Sequence, residues 1–183
     1  MNTILLLSGA AVLIWAGFAF NRLIRLRNQK KAAWADIDVQ LKRRHDLVPQ
    51  LVAAVQGYAG HERALLTTVT ELRTQALAQQ SPGKLGDVEA GLERALGQLF
   101  ALREAYPDLR ANANFAQLQR DLVDVEEHLQ FARRFYNGAV REYNTTIETV
   151  PDLIVARAFG FREAEFFQAG ADERGAVRVE LAP

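Results

Sequence analysis

FAQLQRDLVDVEEHLQFARRFYNGAVREYNTTIETV, residues 115–150, decides the fold class. Along it Phe115, Leu118, Leu122, Val125, Leu129, Ala132, Tyr136, Val140, Tyr143, Ile147 and Val150 recur in steps of three and four. Residues so spaced share one face of a helix with 3.6 residues per turn. Kept up over about five heptads, the stripe is the seam of a long helix packed against other long helices. Asn112 stands where an N-cap would begin this helix, and Pro151 would end it.

The same spacing runs upstream. Trp34, Ile37, Leu41, Val48, Leu51, Val52 and Val55 share a phase, continued by Ala59, Leu65, Val69, Leu72 and Ala76. This predicts one long helix from about Asn28 to Gln79, bent at Gly57 and Gly60. Pro49 lies inside it, so the helix is expected to kink or restart there. Ser81 to Gly86 reads as a turn. A further helix carries Val88, Leu92, Ala95, Leu96, Leu99 and Leu102, and Tyr106-Pro107-Asp108 closes it. After Pro151 a short helix, Asp152 to Phe159, precedes a tail in which Val177, Val179 and Leu181 alternate as in an extended segment. The expected fold is all-α, a long antiparallel bundle of the four-helix type.

Ile4 to Phe20 carries no charge and is almost wholly apolar. About 17 residues at ~1.5 Å each reach about 25 Å, near the short limit for a bilayer span. A cleaved signal peptide would have a basic start, which is missing, and a buried core helix would show a polar stripe. The stretch is therefore expected to be an uncleaved single-pass transmembrane helix whose partner is the lipid bilayer. Arg22, Arg25, Arg27, Lys30 and Lys31 follow it. The positive-inside rule then puts the N-terminus outside and the bundle in the cytoplasm. The division expected is an anchor with its basic flank at 1–27, a helical bundle at 28–160 and a C-terminal tail at 161–183.

Composition excludes several classes. There is no cysteine, so disulfides, thiolate metal sites and thiol nucleophiles are out. Lys and Arg number 22 against 22 Asp and Glu, so bulk charge gives no pull toward nucleic acid. His45, His61 and His128 share no metal-ligand spacing, and Leu65 stands where an HExxH motif begun at His61 would need its second His. No glycine-rich phosphate loop or GxSxG occurs. No metal or other cofactor is expected, and no enzyme.

The stretch DIDVQLKRRHDLVPQLV, residues 36–52, concentrates charge. On a helix, Arg44 falls inside the apolar stripe, with His45 and Asp38 together at its edge. A buried Arg needs a carboxylate, and Glu126 at the edge of the 115–150 seam is a candidate. Asp38, Arg44, His45 and Glu126 are thus read as a polar layer of the bundle; the competing reading is a hydrolase using His45 and Asp38. Tyr136-Asn137 and Tyr143-Asn144 repeat a dipeptide along the seam helix. The rings read as core with bonded hydroxyls, or else the pairs form a recognition strip for another protein. Phe159, Phe161, Phe166 and Phe167 crowd the tail, either capping the bundle or docking on a partner or the bilayer interface.

Three blocks together resemble the bacterial LemA family. They are AWADIDVQLKRRHDLVPQLVAAVQGYAGHE at 33–62, EAYPDLRANANFAQLQ at 104–119 and ARRFYNGAVREYNTTIETVPDLIVARAFGF at 132–161. Val150 before Pro151, Asp152 after it, and Glu127-His128 depart from the usual pattern. The resemblance implies a bacterial inner-membrane protein with one N-terminal membrane helix, a bundle of long helices and no established catalysis. Some members are encoded near membrane metalloproteases, which implies a partner of that kind. The expected function is a membrane-anchored interaction or scaffold protein of the cell envelope, with other membrane proteins or a second copy as partners. The alternative is an adaptor or regulator of a membrane protease.

Overall fold

The computed structural model describes residues 2–60 and 62–167. They form α1 (Asn2–Gln56), α2 (Arg63–Ala78), α3 (Pro82–Ala101), a 3-10 turn (Leu102–Glu104), α4 (Pro107–Ala111), α5 (Ala113–Glu148) and α6 (Asp152–Ala158). No strand occurs among the described residues. The alternation expected at Val177, Val179 and Leu181 lies outside them. The chain forms two compact units, one of residues 2–39 and 129–166 and the other of 40–128 with Phe167.

The second unit is a four-helix arrangement around one core. α1 supplies Val48, Leu51 and Val55, α2 Leu66 and Val69, α3 Leu92, Leu96 and Leu99, and α5 Phe115, Leu118 and Leu122. All are buried, and each set follows the three-and-four spacing of its helix. α1 and α2 are separate helices where the sequence predicted one long bent one. The break falls at Gly57–Gly60, where Ala59 N–H caps Val55 O at 2.8 Å and the chain restarts at Arg63. The turn predicted at 81–86 is shorter than expected. Pro82 already sits in the first turn of α3, a place its missing N–H and fixed φ suit. Asn112 does cap α5, its Oδ1 accepting from Phe115 N–H at 3.0 Å.

Pro49 neither ends nor restarts α1; the helix runs through it. The backbone bond it cannot make is the one to the carbonyl of His45, four residues earlier. That carbonyl is not abandoned. Arg73 of α2 donates its Nε–H to it at 2.7 Å, so a side chain from a neighbouring helix replaces the lost backbone donor.

The first unit pairs the N-terminal part of α1 with the C-terminal part of α5 and with α6. Ala19, Leu23 and Leu26 pack with Tyr143, Ile147, Val155 and Ala156, and Trp15, Ala16, Phe20, Phe161 and Ala164 close around them. Arg22 Nη1 reaches Asp152 Oδ2 at 3.0 Å, holding the start of α6 to α1. α6 ends in a Schellman turn. Phe161 N–H bonds Ala156 O at 2.9 Å and Gly160 N–H bonds Arg157 O at 3.3 Å. Gly160 has φ +69°, a conformation glycine adopts without a Cβ clash. The boundary expected at 27/28 does not interrupt α1.

Toward the N-terminus α1 leaves this packing. From Asn2 to Ile14 every described side chain is exposed, Leu6 at 73% and Leu13 at 75% among them. An apolar helical surface of this kind is unfavourable in water and favourable in lipid, and the segment is apolar enough to cross a membrane.

Candidate functional site

The charged cluster on α1 resolves into a buried polar layer within the second unit. Arg44 and His45 face inward between Leu41 and Val48, Arg44 only 2% exposed. Arg44 Nη1 donates to Glu89 Oε2 at 3.0 Å, and its Nη2 pairs with Glu126. Glu93 lies 3.9 Å from the same Nη2. His45 Nε2 bonds Glu89 Oε1 at 2.7 Å. Glu89 is fully buried, with one oxygen bonded to Arg44 and the other to His45.

Electrostatics account for that charge in the core. Burial alone would push the Glu89 carboxyl up; the hydrogen bond from His45 and the charge of Arg44 outweigh it and hold the carboxyl below its ordinary value. The carboxylate therefore stays ionised, with His45 Nε2 as the donor. Removing one partner would strand a buried charge, at a cost of about 3–5 kcal/mol.

Sequence reasoning placed Arg44 and Glu126 together, and they do meet. It did not single out Glu89. The signal was present, since Glu89 stands four after Leu85 and three before Leu92, inside the apolar stripe of α3. Val88, taken for that stripe, is only half-buried. Asp38 is exposed, and the bond at His45 Nε2 goes to Glu89, a residue the expected layer did not include. Beside Arg44 and Glu126, a recess of about 190 Å³ is walled by Leu96, Phe100, Leu122 and Val123. Ligand pockets run from about 300 Å³ upward, so this recess is small for a substrate site.

The Tyr-Asn repeats of α5 are spent within the first unit. Tyr136 Oη donates to Glu165 O at 2.9 Å and Tyr143 Oη to Arg162 O at 3.0 Å. Asn144 clamps Ala164 at two points, Nδ2 donating to its carbonyl and Oδ1 accepting from its N–H, each at 2.9 Å. Asn137 is half-buried. Burial, then the Glu165 charge, pushes the Tyr136 hydroxyl up to about 12. Tyr136, Tyr143 and Asn144 thus strap residues 162–165 onto α5. Trp34 packs edge-on against Tyr136, ring centroids 5.2 Å apart.

The tail aromatics divide. Phe161 is half-buried, 6.0 Å from Phe20 and under the Arg27 guanidinium at 5.6 Å. Phe159 packs against Phe20 with the rings tilted and their centroids 4.8 Å apart, and still exposes 63% of its surface. Phe166 is 40% exposed and Phe167 is buried. The basic flank is also engaged. The Lys30 ammonium lies 4.6 Å over the Tyr143 ring, and burial, then the nearby charges of Lys31 and Arg27, lower its pKa.

The chain is similar in sequence to known proteins. The chain is 26% identical over 175 residues to magnetosome protein MamQ 2 of Paramagnetospirillum magneticum, a match covering 81% of this chain and 64% of that protein. It thus spans just under two thirds of that relative. Identity to magnetosome protein MamQ of Magnetospirillum gryphiswaldense is 22%, over 91% of this chain and 71% of that one. Identity to protein LemA of Metamycoplasma hominis is 27%, over 84% and 71%. The LemA family profile matches residues 33–181, which take in the polar layer, the seam helix and its strap. With its apolar N-terminal helix and its all-helical fold, this membrane-associated chain belongs to the LemA family.

Proposed function

We propose that the chain is a single-pass, membrane-anchored interaction protein of the bacterial cell envelope, with no catalytic chemistry of its own. The observation that carries this reading is on α5. Phe131 and Phe135, one turn apart, are 66% and 55% exposed on a helix whose opposite side is buried. Exposed aromatics grouped on one helix face suit docking with another protein. The buried layer supports the same reading, because Arg44 and His45 are both engaged by Glu89, and Arg44 by Glu126 as well. The five bases after the span favour a cytoplasmic bundle below the inner membrane.

The test is a photo-reactive amino acid placed at 131 and at 135 in turn, in cells making the full-length protein. Covalent adducts with a distinct membrane protein, identified by mass spectrometry, are the expected result. A membrane protease among them would give the adaptor reading its client, and adducts to a second copy would give a self-assembling scaffold. Crosslinking from neither position would refute the docking role of this face.

A further inference from the structure

The apolar run of α1 begins at Ile4, but only its first part stands clear of the fold. The free apolar stretch, 4–14, reaches about 17 Å at ~1.5 Å per residue, against a hydrocarbon core of about 30 Å. Trp15, Ala16, Ala19 and Phe20 already pack in one cluster with Val155, Ala156 and Phe161. For α1 to span, the bilayer must therefore take in turns of α1 that have protein on one side. Phe18, on those same turns, is 72% exposed, so their other side is dressed for lipid.

The neighbours on the packed side are dressed for lipid too. Val150 is 70% exposed, Ile154 63% and Phe159 63%, and the Phe159 ring sits on Phe20, the last residue of the apolar run. Arg157 and Arg162 beside them are exposed, and Arg22, the first base after the run, is bonded to Asp152 at the start of α6. Apolar side chains at the level of the span's end, with Arg close by, are the composition of a membrane interface.

We propose that the corner between α5 and α6 is a second membrane contact. Val150, Ile154 and Phe159 enter the bilayer at the boundary of headgroups and acyl chains, while Arg157 and Arg162 meet lipid phosphates. The first unit is then seated in the membrane surface rather than tethered above it. This rests on α1 being a membrane anchor.

The chain has no cysteine, so one label can be placed without background. Val150→Cys, Ile154→Cys and Phe159→Cys, each carrying the environment-sensitive NBD fluorophore, are put separately into the full chain. The proteins are reconstituted in vesicles of zwitterionic and anionic phospholipid whose acyl chains bear quenchers at shallow or deep positions. Leu13→Cys marks the anchor. Phe131→Cys marks a point on α5 about 26 Å from Glu148 at ~1.5 Å per residue. The expected result is blue-shifted emission at 150, 154 and 159, quenched most by shallow quenchers, with deep quenching at 13 and none at 131. Quenching at 13 but water-like emission at the three corner sites overturns the second contact alone. Corner probes shielded from both lipid quenchers and aqueous iodide place protein there, and overturn it as well. A probe at 13 that escapes lipid quenching overturns the anchor, and the second contact with it.

Discussion

Replacing Arg73 by Met removes the donor that stands in for the N–H Pro49 lacks. The bond lost is a guanidinium on the His45 carbonyl at 2.7 Å. Hydrogen bonds from charged donors contribute about 1.5–3 kcal/mol, and an acceptor left unsatisfied inside a fold costs about 1–3 kcal/mol. Arg73 is half-buried, so water reaches part of the site, and a loss of about 1–2 kcal/mol is expected. Pro49→Ala acts on the same carbonyl. It restores the backbone donor and removes the ring clash, for a gain of up to about 3 kcal/mol. In that background Arg73→Met should cost less than about 0.5 kcal/mol, because the carbonyl no longer depends on it. The assay is chemical unfolding of the four full-length proteins in detergent, followed by circular dichroism. A coupling of about 1 kcal/mol between the two sites is expected, above the roughly 0.3–0.5 kcal/mol scatter of independent sites. Equal cost of Arg73→Met in both backgrounds would refute the substitution of one donor for the other.

Two further outcomes follow from the side-chain networks. Glu89 binds its proton less tightly in the fold than in the unfolded chain, so its stabilising effect is complete above the ordinary carboxylate pKa and fades as pH falls through the lowered value. The stability gap between wild type and Glu89→Gln should therefore narrow on acidification; a gap independent of pH in the acid range would count against an ionised Glu89. Asn144→Ala removes both bonds to Ala164, and hydrogen exchange at the Ala164 amide should accelerate while amides in the middle of α5 stay protected. Unchanged exchange at Ala164 would mean that Tyr136 and Tyr143 hold the strap without it.

The seam of α5, its Asn112 cap and the all-helical class could be read directly, because each rests on spacing within one segment. Arg44 was visible as a charge inside an apolar stripe for the same reason. Its partners were harder. Glu126 lay at the edge of a recognised stripe. Glu89 lay within one, but a phase drawn through Val88 hid it. The rescue of Pro49 could not be read at all, since nothing local links residue 49 to Arg73. The Tyr-Asn pairs were legible as inward-facing rings, while the target of Asn144 needed the Schellman turn at Gly160 to bring residues 162–165 back along α5.

The polar layer also answers a difficulty posed by the seam itself. A stripe that repeats every seven residues matches its neighbours almost as well after sliding by one repeat, and apolar contacts alone do little to forbid the slip. The charged residues do not repeat. Moving α5 by one heptad would bring either Gln119 or Arg133 to the place of Glu126 opposite Arg44. Moving α3 by one heptad would bring Pro82 or Leu96 to the place of Glu89. Every such slip takes one carboxylate from the buried guanidinium and puts a neutral group or a like charge in its place, so the layer works as a register key with a single setting. The same key would discriminate against pairing with the long heptad helices of other chains.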